Sequence, residues 1–176
     1  MKLYHCQGGF TLCDVLADYL KSIGRSIPAS LLSGVPPAED RNPYGKPYFT
    51  EAEFEGIFFS RSDTKGCKTI GFSDNEIGVD CENTKERPGI RFQAIAKRCF
   101  TEDELEYLDS EAAGATERFF ELWTAKEAYM KYTGKGFAEE FRSFSVFRLP
   151  DVGIETGRVK DMPHIVYSVC TERVPR

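Results

Sequence analysis

The sequence has little of what several common kinds of site require. It has two histidines, His5 and His164, in 176 residues, so a histidine-based catalytic triad or a histidine-rich zinc site is poorly supported. Its six cysteines are scattered without C-x-x-C spacing, and we interpret them as reduced, buried thiols and not as zinc ligands. They are Cys6, Cys13, Cys67, Cys81, Cys99 and Cys170.

Long apolar runs and an excess of basic charge are also missing. No apolar run is long enough to span a bilayer, and the residues after Met1 do not form a signal peptide. We therefore expect a cytoplasmic protein that does not enter a membrane. The formal net charge is −5, which argues against nucleic-acid binding. The length is within the usual range for one domain, so we expect a single unit over residues 1–176.

A charged pair inside an apolar helical pattern is the most informative feature that is present. Residues 119–137, FFELWTAKEAYMKYTGKGF, favour a helix in which Lys126 and Glu127 fall within the apolar arc, at about 100° per residue. Burying an ionised group without a partner is costly. Two interpretations remain open: the pair belongs to a functional site, or it forms an internal ion pair beside the core.

Two carboxylates occupy alternate positions of a predicted strand upstream of this helix. In the segment Ile77–Glu82, Asp80 and Glu82 share one face because side chains of a strand alternate. Together with Glu127 they would supply three oxygen ligands of the kind that Mg²⁺ prefers, beside substrate phosphates. Lys126 and Lys131 would then be partners of those phosphates.

The remaining patterns predict alternating helices and strands in an α/β (α+β) fold. Thr11 and Thr101 each begin a helix at a capping signal. Glu104 belongs to the second signal and therefore has a structural role, so we do not assign it to catalysis. Gly134 is expected to end the main helix, and the proline-rich segment 27–47 is predicted to be a loop. We also expect a short helix at 92–99 and strands at 48–51, 56–60, 67–72, 77–82, 143–149 and 165–170.

These motifs, in this order, resemble the 4′-phosphopantetheinyl transferases of the Sfp type. The pattern of that family runs G-K-P, S-H-S, G-[IV]-D-x-E, F-x-x-x-E and W-x-x-K-E-A-x-x-K-x-x-G-x-G. The W-x-x-K-E-A-x-x-K block and the D-x-E motif are specific, whereas G-K-P and F-x-x-x-E are weak alone. The matching segments are Gly45–Pro47, Ser60–Ser62, Gly78–Glu82, Phe100–Glu104 and Trp123–Gly136.

The resemblance implies a fold and a reaction. The fold would be two similar α/β halves, about 1–76 and 77–176, in a pseudo-twofold arrangement, in a protein that acts as a monomer. The reaction would be the Mg²⁺-dependent transfer of the 4′-phosphopantetheine group from coenzyme A to a serine of an acyl or peptidyl carrier protein. Its other product would be 3′,5′-ADP. The carrier could serve fatty-acid, polyketide or nonribosomal-peptide synthesis.

The resemblance also implies roles for the charged residues of the specific motifs. Asp80, Glu82 and Glu127 would hold Mg²⁺, and Glu127, directly or through a water, would take the proton of the serine. Lys126 would stabilise the leaving phosphate. Lys131 would reach the pyrophosphate or orient Glu127.

The binding site for the 3′-phosphate and adenine of coenzyme A would be formed by Lys46, Ser60, Arg61 and Ser62. Arg61 stands where the family usually has histidine, and its guanidinium still offers a forked contact to phosphate. Only 44 residues precede the G-K-P motif, so we expect part of the first half to be trimmed, and we transfer no contact from the family's N-terminus.

Basic residues are concentrated directly after the D-x-E motif, between Lys85 and Arg98. We expect this stretch to dock an acidic carrier protein, although a solvated helix face would look the same. Two other functions remain open: a different Mg²⁺-dependent enzyme that cleaves pyrophosphate, and a degenerate member that binds coenzyme A without catalysis. The basic residues are Lys85, Arg87, Arg91, Lys97 and Arg98.

Overall fold

The computed structural model describes residues 1–86, 92–111, 113–136 and 140–173, and it confirms a mixed α/β fold. The strands are β1 (Lys2–Cys6), β2 (Glu39–Arg41), β3 (Pro47–Phe49), β4 (Phe58–Thr64), β5 (Cys67–Ser73), β6 (Ile77–Asn83), β7 (Val152–Val159) and β8 (Met162–Glu172). The helices are α1 (Leu12–Ser22), α2 (Ala29–Leu32), α3 (Phe92–Cys99), α4 (Glu102–Asp109) and α5 (Ala115–Thr133), with short 3₁₀ turns at Ala52–Phe54 and Phe141–Ser143.

The first sheet has the strand order β1-β5-β4, is antiparallel throughout, and packs against α1. Helix α1 begins where the sequence predicts, because the Thr11 hydroxyl accepts a hydrogen bond from the Asp14 amide at 3.1 Å. Its apolar face buries Leu16 and Leu20 completely, in one cluster with Phe72 of the sheet. Removing this apolar surface from water is what attaches the helix to the sheet.

The second sheet has the order β6-β8-β7, is also antiparallel, and packs against α5. The two sheets have the same pairing pattern. In the first, β5 lies between β1 and β4, and in the second, β8 lies between β6 and β7. The predicted boundary at 76/77 falls between β5 and β6. The two halves therefore share a topology, and a twofold relation between them stays a prediction.

The two sheets are joined along β4 and β6 by side chains of β4. The Ser60 hydroxyl accepts a hydrogen bond from the Val79 amide at 2.9 Å, and the Thr64 hydroxyl accepts one from the Asn83 amide at 3.2 Å. These bonds satisfy backbone groups of β6 on the side away from β8. They also place the S-R-S segment of β4 beside the D-x-E segment of β6.

Two local predictions are wrong. The segment 27–47 is not only loop, since it contains α2 and the strand β2, which pairs with β3. Residues 143–149 do not form a strand: the Val146 amide bonds to the side chain of Glu104, at 2.9 Å, and the Arg148 amide bonds to the Ser145 carbonyl. The Glu104 carboxylate thus accepts the hydrogen bond of the Val146 amide that a carbonyl of a neighbouring strand would have accepted. Strand β7, which follows at 152–159, was not predicted.

The helices in the described ranges include none that is long and apolar enough to cross a membrane. Helix α3 matches the predicted helix at 92–99. Helix α5 ends at Gly134, as predicted, with the positive φ of 66° that favours glycine. Phe137, the last residue of the predicted helical segment, lies outside the described residues.

Gly78 marks the closest approach of β6 to α5. A Cβ atom at this position would lie 1.9 Å from the carbonyl oxygen of Ala128 and 2.4 Å from the backbone nitrogen of Tyr132. Both distances are far below van der Waals contact, and both partners are backbone atoms that cannot rotate away. Only glycine allows this strand and this helix to pack at their present separation.

We expect Gly78→Ala to destabilise the protein by about 3 kcal/mol or more, because the added methyl group forces backbone to move. Urea unfolding would measure the loss. Gly153→Ala is the matched control: Gly153 lies in β7, and a Cβ there meets nothing within 4 Å. Equal effects of the two substitutions would show that the β6–α5 contact is not the constraint described here.

Candidate functional site

A cavity of about 440 Å³ opens where β4, the β2–β3 turn and α5 come together. We call it the Arg61 cavity. Five of its lining residues were nominated for a site by the sequence, and the others include aromatic and apolar groups. Its lining is Arg41, Tyr44, Gly45, Lys46, Pro47, Phe59, Ser60, Arg61, Glu127, Met130, Lys131, Gly134 and Gly136.

Asp80 is buried beside this cavity, between β4 and α5. Its Oδ1 accepts hydrogen bonds from the Ser62 hydroxyl and from the Lys131 ammonium, both at 2.8 Å. Its Oδ2 is buried and has no hydrogen-bond partner among the described residues. Burial raises the pKa of Asp80, while Lys131 and Ser62 oppose that rise. A buried carboxylate oxygen without a partner is costly, so this atom calls for a cation or a donor.

Glu127 faces the Arg61 cavity from α5. Burial is the main cause that raises its pKa, the negative charge of Asp80 adds to the rise, Lys131 opposes it, and Glu82 adds a smaller increase, with a net pKa of about 7. Asp80 and Glu82 therefore lie within electrostatic reach of Glu127. The three carboxylates that the sequence nominated come from β6 and α5, which the Gly78 contact holds together.

The described residues include no group of three or more acidic, histidine or cysteine side chains already arranged to hold a metal ion. The chemistry of the site nevertheless fits Mg²⁺. Carboxylate oxygens are the ligands that this ion prefers, and Asp80 Oδ2 has no hydrogen-bond partner among the described residues. A bound cation would also stabilise the ionised form of Glu127, whose pKa is raised in its absence.

Lys46 lines the Arg61 cavity from the β2–β3 turn, and its ammonium is already bonded. It donates to the Tyr132 carbonyl at 2.9 Å and to the Ile77 carbonyl at 3.3 Å, and it forms an ion pair with Glu76. Lys46 therefore ties the turn to the end of α5 and to the start of β6.

The three residues of the S-R-S segment do not all face the same way. Ser60 and Arg61 line the Arg61 cavity, whereas Ser62 bonds to Asp80 and is not part of that lining. The Arg61 guanidinium is held in a fork by Glu39, with both N···O distances at 2.9 Å. The predicted nucleotide-binding residues are thus brought to one region, with Ser62 closer to the carboxylates.

Lys126 points away from the Arg61 cavity and has no exposed surface. Its ammonium donates to both oxygens of Glu104, at 2.9 and 2.8 Å, and to the Phe144 carbonyl at 2.7 Å. All three of its protons are used. Lys126 thus forms an internal ion pair, with Glu104 and not with Glu127. Its predicted contact with phosphate stays a prediction and would require breaking these bonds.

Glu104 is the centre of this buried network. The predicted capping box is confirmed, since the Thr101 amide donates to Glu104 Oε2 at 2.8 Å. The Val146 amide donates to Oε1. Glu104 thereby connects the start of α4, the middle of α5 and the chain at residues 144–146.

Several residues around the Arg61 cavity escaped the sequence analysis. Glu39 and Arg41 lie in the segment predicted as loop, and Glu76 precedes the D-x-E strand. No local pattern marks Glu39 or Glu76, because their partners Arg61 and Lys46 are 22 and 30 residues away along the chain.

We expect Lys126→Met to destabilise the protein by about 3–5 kcal/mol, because it leaves the buried charge of Glu104 unpaired. Glu104→Gln should also be destabilising, since it leaves the ammonium without its partner. The double substitution should cost about 2 kcal/mol less than the sum of the single ones. Chemical unfolding of the four proteins would measure this coupling.

Lys2→Met is the control for that cycle. Lys2 forms its ion pair with Asp18 at the surface, where the two side chains are 40% and 53% exposed, so we expect a loss below about 1 kcal/mol. Additive effects of the two buried substitutions would contradict the assigned ion pair.

Comparison with known proteins confirms the resemblance seen in the motifs. The chain is 38% identical over 98 residues to a putative 4′-phosphopantetheinyl transferase of Synechocystis sp.. The matched region covers 54% of this chain and 39% of that protein. It is 34% identical to the 4′-phosphopantetheinyl transferase HetI of Nostoc sp., over 66% of this chain and 52% of HetI. It is 34% identical to the 4′-phosphopantetheinyl transferase Sfp of Bacillus subtilis, over 58% of this chain and 44% of Sfp.

The matched part of the chain thus spans between 39% and 52% of the length of these relatives. A model of the 4′-phosphopantetheinyl transferase superfamily matches residues 76–173. That range includes β6 and α5, which carry Asp80, Glu82 and Glu127. Since it covers more than half of the 176 residues, the chain belongs to the 4′-phosphopantetheinyl transferase superfamily.

Proposed function

We propose that this chain transfers the 4′-phosphopantetheine group of coenzyme A to a serine hydroxyl of an acyl or peptidyl carrier protein, with release of 3′,5′-ADP. The observation that carries the proposal is that Glu127, Lys131 and Arg61 line one cavity. Asp80 is bonded to Lys131, and Glu82 lies within electrostatic reach of Glu127. The proposal takes residues 1–176 as one functional unit.

The cations of the site suit the anionic parts of coenzyme A. Lys131 lies on the wall of the Arg61 cavity next to Asp80, where its ammonium can turn to the pyrophosphate. Arg61 lies across the cavity on β4, and its forked guanidinium suits the 3′-phosphate. Lys46 and Ser60 line the same cavity and would face the nucleotide. Each contact uses a residue that already lines the cavity.

Asp80, Glu82 and Glu127 would hold Mg²⁺, which when bound neutralises the charge of the pyrophosphate. Glu127 is the residue placed to move a proton. Its carboxylate, kept ionised by the cation that it would help to hold, can accept the proton of the carrier serine, directly or through a water. The serine oxygen then bonds to the β-phosphorus, and the bond between that phosphorus and the bridging oxygen breaks. The leaving oxygen departs with 3′,5′-ADP.

We expect Glu127→Gln and Asp80→Asn to lower the transfer rate by about 100-fold or more, because general-base and charge-neutralising groups contribute on this scale. The assay is the intact mass of a panel of apo carrier proteins after incubation with the protein, coenzyme A and Mg²⁺, beside an EDTA control. A metal-dependent gain of one phosphopantetheine group is the expected result.

Glu117→Gln is the matched control, since Glu117 lies on α5 but is exposed and outside the Arg61 cavity. Near-normal transfer by Glu127→Gln would remove Glu127 from the mechanism. If coenzyme A binds but no carrier gains mass, the degenerate binder replaces the transferase. Release of 3′,5′-ADP without a carrier would instead indicate a pyrophosphate-cleaving enzyme.

The basic stretch after the D-x-E motif is the surface that we propose for carrier docking. Lys85, Lys97 and Arg98 are exposed, and the two latter residues lie in the last turn of α3. Arg87 and Arg91 lie outside the described residues. The local excess of positive charge would attract an acidic carrier although the whole chain is negative.

We expect Lys97→Glu and Arg98→Glu each to raise the KM for the carrier by about tenfold at low salt, through weaker electrostatic attraction. The dissociation constant for coenzyme A should not change. Lys21→Glu, on the exposed side of α1 in the other half, is the control of equal charge change. Equal effects of the three substitutions, or an effect that persists at high salt, would contradict docking on this surface.

A further inference from the structure

Arg61 is not a free cation in the Arg61 cavity, because Glu39 occupies its fork. Nη1 and Nη2 each donate to a different oxygen of Glu39, at 2.9 Å. This bidentate geometry is the one that a phosphate monoester would need from the same guanidinium. The side chain of Arg61 is 45% exposed and that of Glu39 is 22% exposed, so a ligand in solution can reach the pair.

Glu39 is held in this place by the packing of the β2–β3 hairpin on β4. In the hairpin, Glu39 lies opposite Phe49. Phe49 stacks on Phe59 of β4, with ring centroids 4.4 Å apart and planes inclined by 18°. Phe59 is two residues from Arg61, whose guanidinium carbon lies 5.8 Å from the centre of its ring. The hairpin therefore holds the Glu39 carboxylate against Arg61, beside the Arg61 cavity.

A phosphate dianion at Arg61 would meet an opposing charge. To use the same two nitrogens it must displace Glu39, and at the remaining edge of the guanidinium, which includes Nε, it would still lie close to that carboxylate. Like charges at such short distances repel. The other cations of the lining are engaged as well: Lys46 pairs with Glu76, Lys131 pairs with Asp80, and Arg41 donates to the Gly45 carbonyl.

We propose that Glu39 is a specificity-determining residue that weakens the contact of Arg61 with the 3′-phosphate. It would thereby reduce the preference of the protein for coenzyme A over 3′-dephospho-coenzyme A. The inference rests on the proposed function, because it assigns Arg61 to the 3′-phosphate. It concerns one competing carboxylate, which the sequence did not nominate and which nothing in the motifs of the family requires.

The test is calorimetric binding of coenzyme A and of 3′-dephospho-coenzyme A, with Mg²⁺ present, to the wild type and to Glu39→Gln. The substitution keeps the shape of the side chain and removes its charge. We expect coenzyme A to bind about fivefold more tightly, which is the scale of one partly exposed ion pair. The affinity for dephospho-coenzyme A should change by less than about twofold, within the scale of a group that makes no contact.

Two further variants make the test specific. In Glu39→Gln/Arg61→Gln the gain should vanish, because the guanidinium that would be released is absent. Asp63 lies on β4, like Arg61, and pairs with Lys68 of β5 at 3.6 Å. Asp63→Asn should leave both affinities unchanged. The assignment would be overturned if Glu39→Gln left the ratio of the two affinities unchanged, with or without an equal gain for both ligands. It would also be overturned if this variant bound coenzyme A more weakly.

The outcomes also separate this inference from the proposed function. If the wild type binds coenzyme A but Glu39→Gln does not change the ratio of the affinities for the two ligands, only the role of Glu39 is overturned. A wild type that binds neither ligand overturns the proposed function together with the inference.

Discussion

The candidate site depends on the close approach of two backbones. Asp80 and Glu82 lie on β6 and Glu127 lies on α5, and these elements can pack at their present distance because Gly78 has no side chain. Asp80 is two residues after Gly78, and Glu127 is next to Ala128, whose carbonyl faces Gly78. The contact that brings the elements together is thus immediately beside the carboxylates. A strand and a helix at ordinary separation would place these groups farther apart.

Helix α5 directs two neighbouring charged residues into different environments. Consecutive residues of a helix point about 100° apart, so Lys126 enters the core while Glu127 reaches the Arg61 cavity. The buried pair of Lys126 with Glu104 connects α5 to α4 and to the chain near Phe144. A fully bonded charge of this kind favours one position of the helix over others. The orientation of Glu127 therefore depends on the bonds that Lys126 makes on another face of the helix.

The parts of the fold that could be predicted are those with local causes. The caps at Thr11 and Gly134 are present where the sequence placed them, because each depends on a few consecutive residues. The alternation of Asp80 and Glu82 needed only the period of a strand. The wrong prediction at 143–149 has a different origin, since Val146 bonds to Glu104 and Phe144 packs against Tyr129 of α5. Those partners are distant in the sequence, and no pattern within the segment identifies them.

The same distinction explains why the charges of the site were predicted without their partners. Lys131, Arg61 and Lys46 were nominated as cations for phosphate, yet each is paired here with a carboxylate: Asp80, Glu39 and Glu76 respectively. A cleft that is lined with paired charges has a weaker field than its cations alone would give. Binding of an anion is then an exchange of partners, in which the displaced carboxylate must find another cation or water. For Asp80 such a replacement is available, since a divalent cation at its unpaired oxygen would offset the loss of Lys131. Glu39, by contrast, stays on the hairpin beside Arg61, where it would continue to compete with the ligand in the role that we propose for it.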